Sequence, residues 1–124
     1  MKELIWVFVG GGLGSICRYT ITLILKQTNL LYPWSTLLAN AIGSLLIGVL
    51  ADQWIRNPSS YSPNTLFWII GFCGGLTTFS AFALENLTLF RNFGSVSLII
   101  YASLTYFICL LMVLLGTSLS KLII

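Results

Sequence analysis

Three stretches of this chain, residues 27–51, 57–84 and 92–120, contain no Asp, Glu, Lys or Arg. A helix needs about 20 apolar residues to cross the hydrocarbon of a bilayer, and each stretch is long enough. A helix that is apolar all round is stable only in lipid or in the core of a large protein. A chain of 124 residues has too much surface for its volume to bury several such helices. It is 57% hydrophobic and 7% charged, where a soluble domain carries about 25% charged residues. Lipid is therefore the expected solvent. With no water to satisfy a free backbone there, the expected fold is all-α, a single membrane domain over residues 1–124.

The nine charges, Lys2, Glu3, Arg18, Lys26, Asp52, Arg56, Glu85, Arg91 and Lys121, mark the limits of the spans. They predict helices over about 4–25, 34–54, 66–90 and 95–120, the first interrupted by Arg18. Pro33 suits the first turn of the second helix, where a missing N–H costs nothing. Asn57–Asn64 is a polar, proline-bearing loop, and Arg91-Asn92-Phe93-Gly94 is a tight turn. Trp6, Tyr32, Trp34, Trp54, Tyr61 and Trp68 fall near span ends, as an interfacial aromatic belt would. The first helix has no small-x-small cleavage site and is expected to be retained rather than removed as a signal peptide. Four spans place Lys2, Arg56 and Lys121 on one side, and Lys26 and Arg91 on the other with Arg18 a little inside. That near balance gives the positive-inside rule almost nothing to act on. Either other features set the topology or the chain inserts both ways.

Whole classes of function drop out. The net charge of +3 is spread thinly, so no nucleic-acid partner is expected. Histidine is absent, which removes the commonest general base, and an enzyme is not expected. Cys17, Cys73 and Cys109 show no metal spacing and suit reduced packing residues.

Polar groups inside the spans need a reason. Gly10 and Gly14 form a GxxxG that lets helices approach closely. Arg18 either snorkels to the interface or sets a positive potential at an aqueous vestibule. On the second helix Thr36, Asn40 and Gly43 share a face, and Ser44 and Gly48 are a small-xxx-small pair. The Asn40 amide serves either as interhelical glue or as a donor to a permeating ion. On the third helix Gly74-Gly75 and Thr77-Thr78 lie mid-span, which suggests a break where freed carbonyls suit a hard cation. The alternative is a packing GxxxG from Gly71 and Gly75. Phe79 and Phe82 share a face, and an aromatic ring is positive at its edge, so they either pack or meet an anion. Glu85 caps an interface or faces a pore. Tyr101, Thr105 and Cys109, at i, i+4 and i+8 on the fourth helix, form a polar stripe.

These residues resemble the CrcB/Fluc family of fluoride channels. The matching pieces are Gly11-Gly12-Leu13-Gly14-Ser15 with Arg18-Tyr19, then Pro33, Thr36-Leu37, Asn40 and Gly43, and finally Gly71–Ser80 with Phe82 and Glu85. The likeness covers essentially the whole chain, and the third-helix motif is its most specific part.

The resemblance implies a multi-pass plasma-membrane protein that exports cytoplasmic fluoride passively. It implies four transmembrane helices, broken in the third, in an antiparallel dual-topology homodimer with two pores and a structural Na⁺ at its centre. It further implies that Asn40 donates to fluoride, and that Phe79 and Phe82 present ring edges to it. Ser80, Tyr101, Thr105 and Glu85 would belong to the polar track. Arg18 would stand at the vestibule, and the backbone carbonyls of Gly74 and Thr77 would hold Na⁺. Fluoride, membrane lipid and a second copy of the chain are the implied partners; diverged paired subunits in the family keep a heterodimer with a paralogue open. Ala81 and Ala83 stand where family members commonly carry hydroxyl residues, and Ser35 where glycine is usual. The alternatives are a proton-coupled exchanger of the small multidrug resistance kind, or a non-conducting membrane subunit. The exchanger relies on a buried glutamate in the first helix, where this chain has Arg18.

Overall fold

The computed structural model describes residues 1–26, 33–56 and 62–123, with side chains of 51–54, 56 and 123 outside the description. The described residues are almost entirely helical. Helix α1 is Lys2–Lys26 and α2 is Trp34–Arg56. Helix α3 is composite: one turn at Pro63–Thr65, a π-helix over Leu66–Cys73, and a last turn at Gly74–Leu76. After Thr77 and Thr78 the chain resumes as α4, Phe79–Phe93, and ends in α5, Ser95–Ile123.

The expected spans are thus present, each slightly longer than its predicted range. Lys2–Lys26, Pro63–Phe93 and Ser95–Leu122 are long and apolar enough to cross a membrane, and Trp34–Leu50 is a shorter apolar helix. Together they make an all-α, multi-pass membrane protein. Pro33 sits immediately before α2, rather than in its first turn. Ser62 begins α3 as its N-cap, its hydroxyl accepting from the Thr65 amide at 3.2 Å. Gly94 ends α4 with φ of +82°, a conformation that a side chain would strain, and this is the expected tight turn. Tyr32, Trp54 and Tyr61 of the expected aromatic belt, and the loop from Asn57 to Tyr61, lie outside the described residues or side chains.

Glycine decides how the helices pair. A Cβ on Gly10 would collide with the Phe67 carbonyl, and one on Gly14 with that of Phe72. In return, a Cβ on Gly75 would strike the carbonyl of Gly11, and one on Gly71 would lie 3.0 Å from the Gly10 Cα. The two GxxxG pairs therefore face each other and bring α1 onto α3 backbone to backbone, the contact that small residues permit in lipid. Gly48 and Gly116 do the same for α2 and α5. The expected Ser44–Gly48 pair divides: Gly48 packs against α5, while Ser44 lines a groove described below. Gly12, by contrast, has nothing near it.

The buried centre is small. Leu37, Leu89 and Tyr101 form a cluster with Trp34, Phe82 and Ile108 packed on it. Leu76 and Cys73 are buried where α3 ends. Most remaining large apolar side chains, from Leu4 on α1 to Leu122 on α5, face outward. Among the described residues the cysteines are unpaired, and Cys73 is a packing residue as expected.

Candidate functional site

The break after Leu76 is the feature around which the polar residues gather. Thr77 and Thr78 are both extended, with φ/ψ of −82°/151° and −150°/125°. Each threonine finishes one half of the span. Thr77 closes α3, its amide donating to the Cys73 carbonyl at 2.9 Å and its hydroxyl to the same carbonyl at 2.8 Å. Thr78 opens α4 as its N-cap, with its hydroxyl accepting from the Ala81 amide at 3.4 Å. The glycines are not themselves the gap. Gly74 and Gly75 remain helical, Gly75 against the Gly11 backbone of α1 and Gly74 with nothing near it, and the chain departs from the helix only beyond Leu76.

Interrupting a helix frees carbonyls that the next turn would have bonded. Here the donors have identifiable destinations. The Thr78 amide, which an unbroken helix would give to the Gly74 carbonyl, donates to Asn40 Oδ1 at 2.8 Å. The Ala81 amide, due to the Thr77 carbonyl, goes to the Thr78 hydroxyl. The Gly75 carbonyl accepts from Arg18 Nε at 3.1 Å. Gly74 and Thr77 thus keep carbonyls whose helical donors are committed elsewhere, while Gly75 is occupied. Among the described residues no cluster of three or more His, Cys, Asp or Glu side chains could hold a metal ion. Carbonyl oxygens are nonetheless the donor type that suits a hard monovalent cation, so these two residues fit the expected Na⁺ donors.

Asn40 holds the break from α2. Its Nδ2 donates to the Thr78 carbonyl at 3.2 Å while its Oδ1 accepts from the Thr78 amide, so one side chain grips both sides of one residue. Both open readings of Asn40 remain compatible with this, since an amide nitrogen has two donors and Thr78 uses one. Gly43 shares the same face as expected: a Cβ there would meet the Thr77 methyl. Arg18 is half-buried and turns toward the break through Gly75, rather than simply snorkelling away.

A groove of about 540 Å³ runs from the break along α2 and α5. Asn40, Thr77, Thr78, Phe79, Phe82 and Thr105 line its upper part, and Ser44, Cys109 and Val113 are further along it. Phe79 and Phe82 do share a face, with ring centroids 5.7 Å apart and tilted by 45°. They differ in support. Phe79 is 78% exposed, whereas Phe82 is backed by the Tyr101 ring at 5.7 Å.

Behind Phe82 lies a hydrogen-bonded group. The Thr36 hydroxyl donates to Glu85 Oε1 at 2.5 Å and the Tyr101 hydroxyl to Glu85 Oε2 at 2.9 Å. Tyr101 also reaches the Pro33 carbonyl at 3.3 Å. Glu85 therefore sits at the junction of α2, α4 and α5 and does not line the groove. Ser80 is exposed, its hydroxyl 3.2 Å from that of Thr78. Tyr101 and Thr105 are buried and Cys109 half-buried, so the expected stripe on α5 faces inward. Ala81 and Ala83 lie off the groove, and their missing hydroxyls take nothing from its wall. Thr78 is the site residue that the sequence pattern left without a role; the need of an asparagine inside a span for partners was the available signal.

Residues 5–117 match the family model described as CrcB-like protein, Camphor Resistance (CrcB). A protein of Flavobacterium psychrophilum named fluoride-specific ion channel FluC is 37% identical over 123 residues, 98% of each chain. A protein of the same name from Azobacteroides pseudotrichonymphae is 32% identical over 122 residues, again 98% of each. One from Bacteroides fragilis is 41% identical over 96 residues, 74% of this chain and 75% of that one.

Proposed function

The chain belongs to the CrcB-like family, and from that premise we propose that it is a subunit of a passive fluoride channel. The observation that carries the reading is the convergence at the broken span of Asn40, Phe79, Phe82 and Thr105 on one groove. The groove is open along one side of a single chain and is closed by a second copy. Insertion in both orientations, which the balanced charges permit, makes that copy antiparallel and gives a homodimer with two pores.

An anion in the groove meets donors and ring edges rather than a fixed cation. The second amide hydrogen of Asn40 donates to it. Phe79 and Phe82 turn their positive edges toward it, which stabilises an anion without trapping it. Thr105, Ser80, Tyr101 and Glu85 continue the polar path, the last two through the hydrogen-bonded group with Thr36. Arg18 raises the local concentration of anions at the vestibule. Gly74 and Thr77 of each subunit present carbonyls to a central Na⁺, which fixes the two broken spans against each other. Export is downhill: fluoride trapped in the cytoplasm leaves without coupling to protons.

Fluoride efflux from liposomes containing the purified protein tests the reading. Efflux should persist when the proton gradient is collapsed. Efflux that stops under that condition would instead identify a proton-coupled exchanger, and absence of efflux a non-conducting subunit.

A further inference from the structure

At two of the helical bonds that would close the break, a side chain from another helix bonds the donor or the acceptor instead. A continuous helix through 74–79 would need the Thr78 amide on the Gly74 carbonyl and the Phe79 amide on the Gly75 carbonyl. Asn40 Oδ1 takes the donor of the first bond, at 2.8 Å. Arg18 Nε takes the acceptor of the second, at 3.1 Å. We infer that Arg18, from α1, is a positioning residue that works with Asn40, from α2, to keep the third span open. It does so as a hydrogen-bond donor to Gly75, separately from any effect of its charge on passing anions.

The reason lies in the need of one freed carbonyl for a partner. Thr77 and Thr78 are not themselves barred from helix, having neither proline nor positive φ. A broken span in lipid must bond its freed backbone groups or revert to helix. Arg18 gives the freed Gly75 carbonyl the partner that the Phe79 amide would supply in an unbroken helix, so the break leaves that carbonyl satisfied. Without Arg18 the carbonyl is unpaired, and running the last turn of α3 on toward α4 is what satisfies it. The Arg18 bond also determines which carbonyls stay available: Gly75 is withdrawn, and Gly74 and Thr77 remain. This inference deepens the proposed cation site but concerns the backbone, so it can be tested without fluoride or Na⁺.

The side chains that separate donor from charge are Gln, Lys and Met. The Gln amide nitrogen is the same number of bonds from Cα as Arg Nε, so Arg18→Gln keeps the donor and loses the charge. Arg18→Lys keeps the charge and moves the donor one bond outward. Arg18→Met keeps neither. Amide hydrogen–deuterium exchange at residues 78 and 79, measured on the full-length assembled protein, reads the break directly. The expected result is slowing of the Phe79 amide by tenfold or more in Arg18→Met, parent-like exchange in Arg18→Gln, and Arg18→Lys displaced toward Met. Should Arg18→Met fail to assemble, the Gln and Lys variants still carry the comparison. The inference is overturned if Met exchanges as the parent or faster, or if Lys is parent-like while Gln is shifted. A parent protein that conducts no fluoride yet shows the expected exchange pattern would remove the channel reading and leave this one standing.

Discussion

Replacing Asn40 by Asp tests the site at its centre, because the change is nearly isosteric and removes two donors at once. In the structure Oδ1 would still accept from the Thr78 amide at 2.8 Å, but Nδ2, which donates to the Thr78 carbonyl at 3.2 Å, becomes a second acceptor. Leaving that carbonyl facing an oxygen costs about 1–3 kcal/mol, which loosens the break without unfolding the protein. The larger effect falls on the ion. A carboxylate about 4 Å from a unit anion repels it by about 4 kcal/mol at an effective dielectric of about 20. That is about a thousandfold in rate. Asn40→Ala, which removes the donor and adds no charge, should fall between. The assay is fluoride efflux per dimer from liposomes, with size-exclusion chromatography to confirm assembly. An Asp variant that stays dimeric and conducts within about threefold of the parent, less than about 1 kcal/mol, would confine Asn40 to bracing Thr78.

Phe79→Ile and Phe82→Ile should each assemble and lose about tenfold or more of their efflux, because the aliphatic side chain has bulk but no positive edge. Met should retain more, and the Phe82 variant should be the less stable of the two since only that ring is packed against Tyr101; parent-level efflux from both Ile variants would return the pair to packing. Melting of the dimer should depend on Na⁺, by about 2.7 kcal/mol at a hundredfold excess over its Kd, and identical melts with and without Na⁺ would eliminate the cation site. Gly14→Ala places a methyl against the Phe72 carbonyl and should destabilise the α1–α3 contact by about 1–3 kcal/mol, while Gly12→Ala, with nothing near it, should be silent. Equal melting temperatures for these two would refute the backbone-to-backbone packing.

Charge placement alone located the helices, because in a chain for lipid an uncharged run of sufficient length has few other uses. The break was suggested by a different signal, Gly-Gly and Thr-Thr being poor helix formers at mid-span, with glycine packing as the open alternative. What it could not supply was the division of labour between them. Gly75, with Gly71, belongs to the contact with α1 and the threonines to the gap, which depends on where α1 lies. The π-helix at Leu66–Cys73 had no marker in the residue pattern, since its apolar residues suit an α-helix equally. Thr36, Asn40 and Gly43 were placed on one face by spacing, yet their partners Glu85, Thr78 and Thr77 lie about forty positions away in sequence. Periodicity is local and cannot name a distant acceptor. The same limit hid the bond from Arg18 to Gly75, which only the packing of α1 on α3 brings within reach.

A fluoride-channel subunit of this design passes fluoride through the groove at the break when it is the only chain present. Purified protein reconstituted alone, without any paralogue, should release fluoride from liposomes under an electrical driving force with the proton gradient collapsed. Matched vesicles loaded with chloride should stay full. Fluoride retained as completely as chloride in vesicles that contain assembled dimer, or both ions released alike, would contradict it.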